Sequence, residues 1–174
     1  MRLRNLEKKD AEFMLEWMHD DYVVENLQTD FHGKTLEDCE RFIADSILDK
    51  QNIHMAIVDD NDCYEGTVSL KNIERDSAEF AITIRKCAMG KGISQKAMEQ
   101  IIEYGFNNLG LNSIYWCVSP KNTRAIRFYD KNKYSRISAD KLKISGDYSE
   151  GQIKEYIWYQ KEKKFYKNVR GGKL

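Results

Sequence analysis

The run Ile82-Thr83-Ile84-Arg85-Lys86-Cys87-Ala88-Met89-Gly90-Lys91-Gly92-Ile93-Ser94 carries the clearest chemical signal in the chain. Strand-like alternation ends at Arg85, a glycine turn follows, and helical periodicity opens at Ile93. Successive backbone N–H groups at such a turn can face an anion, and the dipole of the following helix adds attraction. Glycine permits positive φ and lets a phosphate come close to the main chain. The spacing is not that of a P-loop, which needs GxxxxGK[ST]. Nor is it a dinucleotide turn, because Gln95 stands where the third glycine belongs. Taken alone, the turn fits a phosphate cradle and a plain strand-to-helix connection equally.

Other reactive side chains are sparse. Cys39, Cys63, Cys87 and Cys117 form no CxxC pair, and His19, His32 and His54 form no ligand pair. Reduced thiols and no metal site are therefore expected. No Ser-His-Asp or Cys-His signature is present. His19, Asp20, Asp21, Glu25 and Asp30 gather in one polar stretch. That cluster reads either as a solvated loop or as an attractor for a cationic ligand.

The elements that must position these residues follow from periodicity. Leu3 to Leu6 reads as a first strand. Asp10 is expected to cap a helix carrying Phe13, Met14, Trp17 and Met18. An irregular stretch from His19 to Lys34 follows. Thr35 and Asp38 then suggest a capping box before a helix with Leu36, Cys39, Phe42, Ile43 and Ile47 on one face. The period next changes to two. Ile53 to Val58 and Tyr64 to Leu70 read as a hairpin across Asp59-Asp60-Asn61-Asp62, and Ala78 to Arg85 as a third strand of that group. There Phe80, Ile82 and Ile84 share one face, and Glu79, Ala81, Thr83 and Arg85 the other. A long helix is predicted from Ile93 to Asn108, with Gly110 ending it. A strand from Ser113 to Val118 and a short helix from Asn122 to Lys131 come next. Tyr134 to Ile137 and Glu155 to Tyr159 close the order. The fold class is α/β (α+β), a mixed sheet of about seven strands flanked by about four helices.

Composition bounds the rest. The chain has 174 residues, 41% hydrophobic and 32% charged, which suits one folded domain. Lys+Arg and Asp+Glu are both 28, so no basic excess points to nucleic acid. No apolar run approaches the roughly 20 residues of a membrane span, and no secretory leader is read at the start. A cytoplasmic protein is expected, with a single domain over residues 1–160 and a Lys-rich tail over 161–174 carrying Gly171 and Gly172.

Two motifs together resemble the GNAT acetyltransferase superfamily. The glycine turn is similar to its [QR]-x-x-G-x-[GA] acetyl-CoA motif, with Cys87 in place of Gln or Arg. Asn122-Thr123-Arg124-Ala125-Ile126-Arg127-Phe128-Tyr129, running on to Tyr134, resembles its N-x-x-A-x-x-[FL]-Y-x-[KR]-x-G-F segment. Lys133 replaces the glycine there, at a turn that often prefers positive φ. Leu15-Glu16-Trp17 and Ala78-Glu79-Phe80 resemble the branch that holds ribosomal-protein-alanine, spermidine and nucleotide-aminosugar acetyltransferases. The resemblance implies a GNAT fold and transfer of acetyl from acetyl-CoA to a primary amine, with no metal. A polyamine or aminosugar is favoured as acceptor. A protein N-terminus or lysine, or a CoA-binding module without turnover, is the alternative. It implies Tyr129 as the acid that protonates the leaving thiolate, and Glu79 is the first choice as base, direct or through water. It assigns Ile82, Thr83 and Ile84 to the pantetheine arm, and Met89, Gly90, Lys91, Gly92, Ile93 and Ser94 to the pyrophosphate. Asn122, Arg124 and Ala125 would lie along the cofactor, with Arg124 or Lys91 offsetting phosphate charge. The acceptor is expected between the early helices and the closing strands. A homodimer through those strands is compatible with the resemblance.

Overall fold

The structure, a computed structural model, describes residues 1–163. Residues 164–174, including Gly171 and Gly172 of the expected tail, lie outside the described residues. The elements are β1 (Arg2–Asn5), α1 (Ala11–Met18), α2 (Asp21–Val24), α3 (Leu36–Ser46), β2 (Ile53–Val58), β3 (Tyr64–Lys71), β4 (Ser77–Ile84), α4 (Ile93–Asn107), β5 (Ser113–Val118), α5 (Thr123–Lys131), β6 (Ser135–Ile137), α6 (Glu150–Glu155) and β7 (Ile157–Glu162). The strands form one seven-stranded sheet in the order β1-β2-β3-β4-β5-β7-β6. Only β4 and β5 pair in parallel, across the α4 crossover.

The central strands are buried on both faces. Ile57, Val68, Leu70 and Phe80 pack with Ala97, Ile101 and Phe106 of α4. Ala56, Val58 and Tyr64 pack with Met14 and Trp17 of α1 and Cys39 and Ile43 of α3. Each such aliphatic side chain contributes about 1.5–3 kcal/mol of burial, so α1, α3 and α4 are held mainly by the sheet.

Local signals set most boundaries. Asp38 N–H donates to Thr35 Oγ1 at 3.2 Å, and Thr35 N–H donates to Asp38 Oδ2 at 2.9 Å, the box expected at the start of α3. Ala125 N–H donates to Asn122 Oδ1 at 3.0 Å and starts α5. Lys133 does take positive φ, at 58°.

Four readings need correction. Asp10 does not cap α1 with its side chain. It is 1% exposed and accepts from Glu7 N–H at 2.8 Å and from Arg4 at 2.7 and 2.8 Å, tying β1 to the turn before α1. The stretch 19–34 contains α2, capped by Asp20. Leu36, Phe42 and Ile47 are partly or largely exposed, so the buried stripe of α3 is only Cys39 and Ile43. Among the described residues six helices, not about four, flank the sheet, because α2 and α6 are additional. The signal for α6 was present as Ser149 and Gln152, which form a reciprocal capping box. In addition, β7 runs to Glu162, so Lys161 is a strand residue.

Gly66 marks a close approach of β3 to β4. A Cβ there would meet the Thr83 carbonyl oxygen at 2.3 Å. Gly66→Ala is expected to destabilise the fold by roughly 1–3 kcal/mol, read as a lowered urea midpoint at unchanged slope.

Candidate active site

The site begins where the sheet stops being a sheet. Ser77, Ala78 and Glu79 of β4 pair with Ser113, Ile114 and Tyr115 of β5, and the register ends there. Both strands continue, β4 to Ile84 and β5 to Val118. Their facing backbone groups beyond Glu79 and Tyr115 therefore have no strand partner, although buried main-chain groups need one. The wedge opens into a cavity of about 360 Å³. Its walls include Ile82, Thr83, Ile84, Met89, Gly90, Ser94, Asn122, Arg124, Ala125, Glu79 and Tyr129, all singled out from sequence. Lys91, Gly92 and Ile93 do not line it and stand at the turn itself. Gly90 and Gly92 have φ of 79° and 72°, and no atom lies within 4 Å of where a Cβ would sit. The first amides of α4 follow directly. A left-handed turn opening a helix is suited to an anion. Cys87, at the position of the motif's Gln or Arg, is exposed.

Glu79 is 4% exposed and is not a solvated carboxylate. The Tyr148 hydroxyl donates to its Oε1 at 2.6 Å, Lys71 Nζ lies 3.0 Å from the same oxygen, and Asn72 Nδ2 donates to Oε2 at 3.1 Å. Sequence reasoning missed all three partners. Lys71 is the cross-strand neighbour of Glu79, and register is invisible before the hairpin is aligned. Tyr148 is 69 positions away. Burial pushes the Tyr148 hydroxyl up and the Cys117 thiol, which donates to that hydroxyl at 3.4 Å, up to about 11. Both remain protonated at neutral pH.

Tyr129 sits in an aromatic cluster, with ring centroids 5.4 Å from Trp116 and 5.1 Å from Tyr159. Burial pushes its phenol above the ordinary value, so it too stays protonated. Trp116 also lines the cavity, and its buried Nε1 has no hydrogen-bond partner among the described residues. Arg124 Nη1 donates to Met89 Sδ at 3.1 Å, and its guanidinium lies 4.8 Å over the Tyr22 ring. That contact holds α2 against the cavity, where Val23, Asn26, Leu27 and Gln28 complete the wall.

A second cavity of about 530 Å³ lies against the face of β4 that carries Ala81 and Thr83, between α1, α3 and the strands β2 to β4. It shares Lys71, Ala81, Ile82 and Thr83 with the first. It is formed by the early helices and the central strands rather than the closing ones. The acidic cluster does not contribute and follows the solvated-loop reading. Asp20 caps α2, Asp21 and Asp30 bond His32, and none of His19, Asp20, Asp21, Glu25 or Asp30 lines either cavity. Trp17 is 5% exposed and donates to the Tyr64 hydroxyl at 3.1 Å, and it lines the second cavity.

Residues 1–135 match the acetyltransferase (GNAT) domain family. The chain belongs to the GNAT acetyltransferases. It is an acetyl-CoA-dependent N-acetyltransferase, and its mixed sheet with flanking helices has the GNAT fold. The uncharacterized N-acetyltransferase p20 of Bacillus licheniformis is 28% identical over 141 residues, covering 78% of this chain and 79% of that protein. The spermidine N(1)-acetyltransferase of Escherichia coli K12 is 26% identical over 147 residues, covering 78% and 73%. A Vibrio cholerae spermidine N-acetyltransferase in complex with CoA and spermine superposes with a TM-score of 0.79 at 22% identity, covering 96% of this chain and 98% of that one. In this acetyltransferase the residues at hand fit the cosubstrate. Two unpaired strand edges, a glycine turn and an unpartnered indole N–H border one cavity.

His54 of the acetyltransferase lines the second cavity, and its Nδ1 lies 2.7 Å from Ser69 Oγ. Burial lowers its pKa; Asp49 raises it weakly and Lys71 lowers it. The folded protein thus binds fewer protons at this ring than the unfolded chain. Its contribution to stability is full above about 6.5 and is lost as pH falls from there to the folded value. His54→Gln is expected to lose less stability than the parent between pH 7.5 and 5.5 in paired thermal unfolding. His32, shifted upward by Asp21 and Asp30, is common to both proteins and cancels.

Proposed function

We propose that the chain transfers the acetyl group of acetyl-CoA to the primary amine of a small molecule by direct attack. The observation that carries this reading is the wedge between β4 and β5, which ends on the left-handed glycine turn. When bound, acetyl-CoA supplies a thioester whose carbonyl carbon the amine attacks as the carbon–sulfur bond breaks. Ile82, Thr83 and Ile84 offer main-chain groups to the pantetheine arm, pairing as an added strand would. Met89 to Ser94 receive the pyrophosphate, with Arg124 or Lys91 offsetting its charge. Asn122 and Ala125 flank the rest of the cofactor.

An amine arrives protonated, because its ordinary pKa is about 10. Glu79 takes that proton, directly or through water. Lys71 and Asn72 keep its carboxylate in place on the border of the two cavities. The Tyr129 phenol gives its proton to the departing sulfur. Burial raises the basicity of a thiolate as it raises that of a phenol, so the two stay matched in the same cavity. The acceptor enters by the second cavity, on the face of β4 that carries Glu79. The names of the spermidine-acetylating relatives support a small amine in preference to a protein. The four free cysteines suit a reducing, cytoplasmic setting.

Calorimetric titration with acetyl-CoA is expected to saturate near one per chain, and absence of binding overturns the reading. Tyr129→Phe is expected to lower kcat by about 100-fold with acetyl-CoA affinity nearly unchanged. Unchanged turnover removes Tyr129 from the acid role. Gly90→Glu is expected to abolish acetyl-CoA binding by bulk and like charge while the far-ultraviolet spectrum is retained. Normal binding in that variant places the pyrophosphate elsewhere.

A further inference from the structure

Strand register lays out the floor of the second cavity. His54, Ser69 and Ala81 stand opposite one another across β2, β3 and β4. Lys71 and Glu79 form the next row on one side, and Thr67 and Thr83 the row on the other. The floor is thus polar but mostly uncharged. Burial keeps the His54 ring neutral, so it presents one N–H and one lone pair. The walls are aromatic. Phe42 meets His54 edge-on at 4.7 Å, and Phe31 meets Trp17 edge-on at 5.2 Å.

The charges of this cavity do not favour a polycation. Its lining holds Lys34, Arg41 and Lys71 against Asp38 and Asp45. Asp38 is already engaged by Thr35 and Arg41. Glu79, at the border with the first cavity, is engaged by Lys71. A linear polyamine would give up the water around several ammonium groups, yet with Arg41 held by Asp38 and Lys71 by Glu79 it would meet a single unengaged lining carboxylate among the described residues, Asp45, beside one unengaged lining cation, Lys34. Desolvated charge without a partner is costly. A hydroxyl-bearing ring with a single amine meets the opposite conditions. Thr83 Oγ1 and His54 Nε2, the latter set by the Nδ1 bond to Ser69, can pair its hydroxyls, while Thr67 is already engaged by Tyr64; the aromatic walls can cover its C–H faces.

We propose that the second cavity selects a monoamine on a hydroxylated ring, the chemistry of an aminosugar, over a linear polyamine, and that the His54–Ser69 pair reads a ring hydroxyl. This rests on the reading that the second cavity admits the acceptor. It separates the chain from those relatives whose names specify spermidine. A site built to hydrogen-bond a hydroxyl rejects molecules that lack one, because its own polar groups are then left unpaired.

The test is calorimetric titration of the CoA-saturated protein with D-glucosamine, glucosamine 6-phosphate and spermidine, run beside thiol-release rates with acetyl-CoA. At least one of the sugars is expected to bind at least tenfold more tightly than spermidine. His54→Leu is expected to raise the KM for that sugar at least tenfold while kcat changes less than threefold, and His54→Gln to restore part of the loss. Acetyl-CoA affinity is expected to stay unchanged in both variants. Spermidine binding as tightly as the tighter-binding sugar overturns the proposal, as does binding of none of the three or an unchanged sugar KM in His54→Leu. Sugar binding without thiol release leaves the selection standing and defeats the catalytic reading instead. Fast turnover of spermidine alone does the reverse.

Discussion

The architecture depends on the early end of one parallel ladder. After Glu79 and Tyr115, β4 and β5 part. Large rings hold them apart. Phe80 meets Trp116 edge-on at 5.6 Å, and Trp116 lies parallel to Tyr159 at 5.8 Å, with Tyr129 of α5 against both. β5 keeps its other edge fully paired to β7, and β4 keeps its other edge paired to β3. The open edges are thus supported from behind, and the main chain that faces the wedge is held rigid without being satisfied. A ligand that supplies amide groups completes the hydrogen bonding the fold leaves unfinished.

The same parting explains why a carboxylate can stay buried. Glu79 is the last residue of β4 paired to β5, so its backbone is fixed by strands on both sides while its side chain reaches the edge of the opening. Lys71, Asn72 and Tyr148 give its oxygens three partners from three points of the chain. Such a group would be strongly destabilising if any partner left it unpaired. The network also joins the two cavities physically, since Lys71 lines both.

What was legible in sequence was what the chain writes locally. The glycine turn, the Asn122 cap, the Thr35 box and the alternation of β4 each occupy a few consecutive residues. The glycine turn, the Asn122 cap and β4 each supply residues that line the first cavity. The partners of Glu79 were not legible, because they come from strand register and from a tyrosine beyond β6. The second cavity draws on α1, the loop after α2, α3 and three strands, so no spacing rule announces it. The acidic cluster, which the sequence left open between a solvated loop and a cation attractor, follows the first for a definite reason. Asp and Asn side chains in turns bond nearby backbone and neighbouring side chains, as Asp20 and Asp30 do with Tyr22 and His32. A run of carboxylates is therefore often a run of turn-formers.

The chain has three tryptophans, and the fold gives each a separate address. Trp116 stands in the wall of the first cavity, Trp17 in the wall of the second, and Trp158 lines neither. The molecule therefore carries its own optical labels. In three variants that each keep one indole, the emission of Trp116 reads occupancy of one chamber and that of Trp17 occupancy of the other, while Trp158, which borders neither, serves as the reference. The order in which two ligands arrive becomes a matter of which variant's colour shift comes first.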